Sequence, residues 1–227
     1  MTASPSPPPP TLPSREDIAL LEEFKGLDMP DIELVATAEH AARALAALGR
    51  FDVVGFDTES KPTFQKNEVS TGPHTLQLAT LDHAWVFQLH DADCCAAAAS
   101  LLESSVLTKV GFGLSSDRTQ IRAKLGIEPR AVIDLDTVFR RRGYRHSVGV
   151  KTAVALVFQQ RFAKSRKQST SNWASRHLSE GQLRYAANDA YAAMRVFAAL
   201  GTMSDRQPPA GMPPAHKGQH EQQRQQE

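Results

Sequence analysis

The chain has 227 residues, 41% of them hydrophobic, enough for one domain with its own core and some chain left over at the ends. Its two cysteines, Cys94 and Cys95, are adjacent and poorly placed to bridge each other. They exclude a disulfide framework and a CxxC metal site and point to a reducing, cytoplasmic setting. No run approaches the ~18 consecutive apolar residues of a membrane span, and the N-terminus lacks a charged start followed by an apolar segment. The net charge of +1 conceals an asymmetry: residues 1–108 carry 6 Lys and Arg against 16 Asp and Glu (net −10), whereas residues 109–195 carry 17 against 6 (net +11). A basic half suits a polyanion such as nucleic acid, although a solvated surface has the same composition.

In chain order, residues 1–13 form a Pro-rich, low-complexity tail with Pro7 to Pro10 in succession, expected to be disordered. Ser14 and Asp17 resemble a helix N-cap pattern opening a helix over about 15–25. Thr37 caps a second, alanine-rich helix over 38–48 that Gly49 ends. Residues 14–49 therefore read as a helical segment packed on the main domain. The β-branched run at 51–58 is the opening strand. Two more strands, 75–80 and 84–89, are separated by Leu81-Asp82-His83 and form a hairpin. A helix at 92–104, a strand at 107–112, a helix at 116–125 stopped by Gly126 and a strand at 131–135 follow. The rest is helical, at 148–159 and 179–201, with Ser179 and Gln182 as a capping box. The order predicts an α/β fold in which a three-stranded antiparallel meander and later parallel strands make a mixed sheet flanked by helices. The globular domain is expected over 50–203. From Ser204 the chain is Gln/Pro-rich and expected to be disordered.

Three places supply acidic side chains. The opening strand ends in Asp57-Thr58-Glu59, and a strand alternates faces with period 2, so both carboxylates project on one side. Such a pair repels itself unless a cation sits with it. Asp117 stands near a helix N-terminus, where an Asp is also commonly a cap. Tyr185 and Asp189 are four apart on the last helix and share a face.

In this order and on these elements, Asp57, Glu59, Asp117, Tyr185 and Asp189 resemble the motifs of the DEDDy 3′–5′ exonucleases, a family with a ribonuclease H-like fold that includes ribonuclease D and the Werner-type exonuclease domains. Thr75-Leu76-Gln77-Leu78-Ala79 resembles the family's second strand. Ser171-Asn172-Trp173 with Leu178 and Gln182 to Tyr191 is similar to the Werner-type branch. The sister branch carries histidine where this chain has Arg184. Werner-type relatives often carry Trp after the Asp-x-Glu, and this chain has Ser60. The resemblance implies a hydrolase that binds single-stranded DNA or RNA, removes nucleoside monophosphates from the 3′ end and uses two divalent ions, Mg²⁺ or Mn²⁺. It implies that Asp57 bridges both ions, that Glu59 and Asp189 complete one site, that Asp117 holds the second ion and that Tyr185 positions the attacking water. The alternatives are a non-catalytic nucleic-acid-binding module of the same fold and a metal-dependent phosphoesterase acting on small nucleotides. Arg161, Lys164, Arg166 and Lys167, just before Asn172 and Trp173, suit phosphate contacts with one stacking contact. Lys167, Asn172 and Trp173 are the candidate substrate-binding residues. Trp173 reads equally well as a packing anchor, and Arg140-Arg141-Arg142 with Arg145 forms a second basic cluster.

Overall fold

The structure, a computed structural model, describes residues 10–63 and 68–202. Both expected tails fall largely or wholly outside that range. Six strands form one mixed sheet in the order β1-β4-β3-β2-β5-β6: β1 (Ile32–Val35), β2 (Val53–Glu59), β3 (Thr75–Ala79), β4 (Ala84–Gln88), β5 (Thr108–Gly111) and β6 (Val132–Asp134). β2, β3 and β4 are the expected antiparallel meander. β5 adds parallel to β2, and β6 adds parallel to β5.

Among the described residues there are eight α-helices: α1 (Arg15–Ala19), α2 (Ala38–Leu48), α3 (Ala92–Glu103), α4 (Ser115–Leu125), α5 (Leu135–Arg141), α6 (Val150–Phe158), α7 (Arg166–Ser169) and α8 (Glu180–Thr202). Their capping follows the sequence. Ser14 and Asp17 form a capping box, Thr37 caps α2, and Gly126 ends α4 in the left-handed region with φ +70°. The Ser179 hydroxyl accepts from the Gln182 N–H at 3.3 Å, and Gln182 Oε1 accepts from the Ser179 N–H at 3.1 Å, which starts α8.

Three elements differ from the sequence reading. Residues 14–49 are not wholly helical, because Ile32–Val35 is a strand paired in parallel with β4 at the sheet edge. Four residues are too short for alternation to show, and the partner strand lies some fifty residues on. Helix α1 stops at Ala19, and the chain then runs extended: the Phe24 N–H donates to the Arg161 carbonyl at 3.0 Å and the Arg161 N–H to the Glu22 carbonyl at 2.7 Å. Finally, the basic cluster at 140–142 ends a short helix, α5. There Arg140 pairs with Asp136 at 2.9 Å and Arg142 donates to the Leu200 carbonyl at 2.9 Å.

Each face of the sheet has its own core. Leu48, Val54, Phe56, Leu76, Phe87, Leu102 and Ile121 pack with α2, α3 and α4 on one side. Val86, Val154, Trp173, Ala186, Ala187, Ala190 and Ala193 pack with α6 and α8 on the other. Helix α8 crosses the middle of the sheet and approaches β2 so closely that a methyl group on Gly55 would lie 1.9 Å from the Ala190 carbonyl oxygen. Glycine in the strand and alanines on the helix are what permit this approach. A Gly55→Val substitution should therefore push α8 off β2 and destabilise the fold by about 2 kcal/mol or more, read as a lower urea midpoint with an unchanged slope.

Candidate metal and catalytic site

The strand alternation fixes which way β2 points its last residues. Val54 and Phe56 face the α2–α4 core, so Asp57 and Glu59 face α8 while Thr58 faces α4. On α8, Asp189 sits one residue before Ala190, whose carbonyl is held against Gly55. Oxygens of Asp57, Glu59 and Asp189 all lie within 4.8 Å of one another. The Thr58 hydroxyl, on the opposite side, donates to Asp117.

Asp117 is carried by the first turn of α4. That turn is placed by Asp134 at the end of β6, whose carboxylate accepts from the Gly113 N–H at 3.1 Å and the Leu114 N–H at 3.0 Å. Asp117 lies outside the tight trio but raises the pKa of both Asp57 and Glu59 through its charge.

The electrostatics of the trio are unfavourable as they stand. Loss of water raises the Asp57 carboxyl well above its ordinary value, and the charges of Asp189, Asp117 and Glu59 raise it further. Glu59 is pushed up to about 8 by the same loss of water and by Asp189. Asp189, only 5% exposed, is raised to about 6 by burial, opposed by Lys164. The Lys164 ammonium lies 2.6 Å from Asp189 Oδ2. Beyond that ammonium, neither Asp189 oxygen has a hydrogen-bond partner among the described residues. Buried carboxylate oxygens without donors, crowded by two like charges, fit a hard divalent cation, which takes oxygen ligands and neutralises charge that one ammonium leaves in excess.

Tyr185, one turn before Asp189 on α8, is half-buried beside the trio. Burial first, and then the Asp189 charge, push its phenol up to about 12. Lys164 stands 5.2 Å from the centre of its ring, and Trp173 packs against the ring at 5.9 Å. Trp173 itself is only 1% exposed, so its indole presents no free face to a base and instead holds Tyr185 in place. Lys167 and Asn172 are exposed, Lys167 on α7 and Asn172 in the loop after it.

The sequence carries no feature that sets Lys164 apart from Arg161 or Arg166. It lines a cavity of about 220 Å³ with Asp57, Asp189, Phe112 and Val150, and another of about 270 Å³ with Tyr185, Arg184 and Gln168.

A family model described as 3′–5′ exonuclease matches residues 32–205. The exonuclease mut-7 homolog of Aedes aegypti is 30% identical over 197 residues, covering 77% of this chain and 27% of that protein, so the chain spans little more than a quarter of this relative's length. Among solved structures, the EXO domain of Aedes aegypti Nibbler superposes with a TM-score of 0.65 at 24% identity, covering 78% of this chain and 89% of that one. Trypanosoma brucei RNase D in complex with RNA U12 superposes with a TM-score of 0.67 at 20% identity, covering 79% and 65%. At these identities the likeness establishes a shared fold. No helix among the described residues is long and apolar enough to cross a membrane.

The raised carboxyl pKa values predict how the metal-free protein responds to pH. Glu59 holds its proton in the folded state up to about 8, but its ordinary value is 4.5. The unfolded chain therefore loses that proton first as pH rises, and stability falls between 4.5 and about 8. In EDTA at pH 8, Glu59→Gln should be more stable than the unaltered protein by on the order of 2 kcal/mol. The difference should shrink towards pH 4.5, as read by thermal melts across that range.

Proposed function

Because this chain belongs to the 3′–5′ exonuclease family that matches its residues 32–205, we propose that it is an active, metal-dependent nuclease. It would hydrolyse the terminal phosphodiester at the 3′ end of single-stranded nucleic acid and release nucleoside monophosphates. The observation that carries this reading is the trio of Asp57, Glu59 and Asp189, gathered from a strand and a helix about 130 residues apart in the chain, with Tyr185 one turn away. A binding module has no use for mutually repelling carboxylates whose ionised form weakens the fold.

Asp57, Glu59, Asp189 and Asp117 are the residues that would hold divalent ions, Mg²⁺ or Mn²⁺. When bound, such ions supply activation of water and stabilisation of charge on the leaving oxygen. The protein's own groups do the rest. The phenol of Tyr185 keeps its proton at neutral pH, since its pKa is pushed up to about 12. It therefore orients the attacking water by hydrogen bonding and does not serve as the base. Trp173 and α8 hold that ring still, which matters because misplacement of an orienting group costs rate steeply. Lys164 stays protonated, because the charges of Asp189 and Asp57 raise its pKa despite burial, and it provides a cation beside the reacting phosphate. Thr58 orients Asp117 through its hydroxyl. The basic second half supplies the field that draws in a strand, and the solved complex of the similar RNase D with RNA U12 supports a nucleic-acid substrate.

Purified protein with Mg²⁺ or Mn²⁺ should shorten oligonucleotides from the 3′ end, giving a ladder with 5′-labelled substrate and a labelled mononucleotide with 3′-labelled substrate. Matched DNA and RNA substrates tested side by side report the preferred sugar. Absence of cleavage with either ion on any substrate leaves the binding-module reading in its place.

Asp57→Ala and Asp189→Ala should reduce cleavage to background while keeping the circular dichroism spectrum, and should remove any rise in melting temperature that the ions produce. Tyr185→Phe should lower kcat roughly a hundredfold with little change in KM. A raised KM at unchanged kcat would make Tyr185 a substrate-packing residue.

A further inference from the structure

A basic concavity lies beside the carboxylate trio and is completed by a segment outside the matched family region. A cavity of about 570 Å³ is lined by Arg15, Ile18, Lys151, Arg161 and Lys164, among others. Four of these five carry positive charge, and they come from α1, the start of α6 and the loop that leads to α7. Lys164 lines this cavity and both of the smaller ones at the carboxylates and Tyr185, so the three are joined through one side chain. The charge of Lys151 also reaches the trio, since it lowers the pKa of Asp189.

Helix α1 and the segment after it are tied into this place. The extended backbone at Glu22–Phe24 exchanges two hydrogen bonds with Arg161, at 2.7 and 3.0 Å. The Phe24 ring packs on Phe158 at 5.6 Å and on Phe162 at 5.9 Å. Arg161 is partly neutralised by Glu23 at 3.3 Å and Lys164 by Asp189. Arg15 and Lys151 enter no ion pair among the described residues, and both are exposed.

We propose that this cleft binds the phosphodiester backbone of the substrate strand one or more nucleotides upstream of the scissile bond, with Arg15 and Lys151 as its phosphate contacts. The N-terminal segment before the family region is thus part of the substrate path. Cations on three separate elements around a cavity whose lining also includes Ile18, Ala19 and Phe162 match a strand whose phosphates alternate with bases. The proposal rests on the nuclease reading above, because Lys164 is the link between the cleft and the reacting phosphate.

The test measures binding without cleavage. Fluorescence anisotropy in EDTA, with the full chain and labelled single strands of two, four, six and eight nucleotides, is compared for the unaltered protein, Arg15→Ala, Lys151→Ala, the double variant and Arg43→Ala. Arg43 lies on α2, in ion pairs with Glu33 and Glu39, and is the control for a lost surface charge. Affinity of the unaltered protein should rise with length. The double variant should lose about tenfold on the six- and eight-nucleotide strands, and its log–log salt slope should fall by about 0.7 for each contact removed. Arg43→Ala should keep both the affinity and the slope. If the unaltered protein binds and cleaves oligonucleotides but the double variant matches it in affinity and slope, the cleft assignment falls and the nuclease reading stands. If the unaltered protein neither binds nor cleaves any strand, both fall together.

Discussion

The contact between helix α8 and strand β2 is the constraint on which the rest depends. A strand and a helix can bring carboxylates to the same point only if their backbones come within the reach of short side chains. Gly55 in β2 and the alanines of α8 remove the Cβ atoms and longer groups that would hold the two apart. The Ala190 carbonyl seats against Gly55, and Asp189, its neighbour in sequence, is thereby delivered to Asp57 and Glu59. The burial that makes the contact tight also strips water from the carboxylates and raises their pKa values. Packing energy from two cores thus sustains a charge arrangement that opposes folding, as is usual where a fold carries a reactive site.

The charge of the trio is offset at close range by Lys164, with Lys151 acting on Asp189 through its charge. Lys164 pairs with Asp189 and lies over the Tyr185 ring, so a single side chain touches both the carboxylate trio and the phenol beside it. Its place is set by a nearby turn and by a distant segment together. Helix α6 ends at Gln159 in the left-handed region, φ 54°. The backbone of Arg161 is then clamped by Glu22 and Phe24, and Phe162 is buried. The N-terminal segment is therefore structural support for the site, and it is equally the wall of the cleft that leads away from it.

Much of the fold was legible because its elements are local and periodic. The short connection in the β3–β4 hairpin, the caps at Ser14, Thr37, Gly126 and Ser179, and the helical spacing of Tyr185 and Asp189 all depend on residues within a few positions of one another. Strand β1 was not legible, since four residues with one charge carry no clear period and the strand exists only by pairing with β4. Helix α5 was equally obscure, because a short arginine-rich run looks like solvated surface until its partners, Asp136 and the Leu200 carbonyl, are known. Trp173 could be read as a base-stacking residue or a packing anchor, and its burial behind Tyr185 favours the second.

What the sequence alone determined was the identity and order of the candidate site groups: two carboxylates two apart on a strand, an Asp at a helix start, and a Tyr and Asp four apart on a helix. Those spacings dictate shared faces through backbone geometry alone. The tertiary structure decided the rest. It placed Asp57, Glu59 and Asp189 in one cluster, with Asp117 beside it and held through Thr58. It picked Lys164 out of a run of similar cations, and it brought Arg15 to Lys151 across more than a hundred residues. Electrostatic coupling depends on distance and burial, and neither is a property of position along a chain.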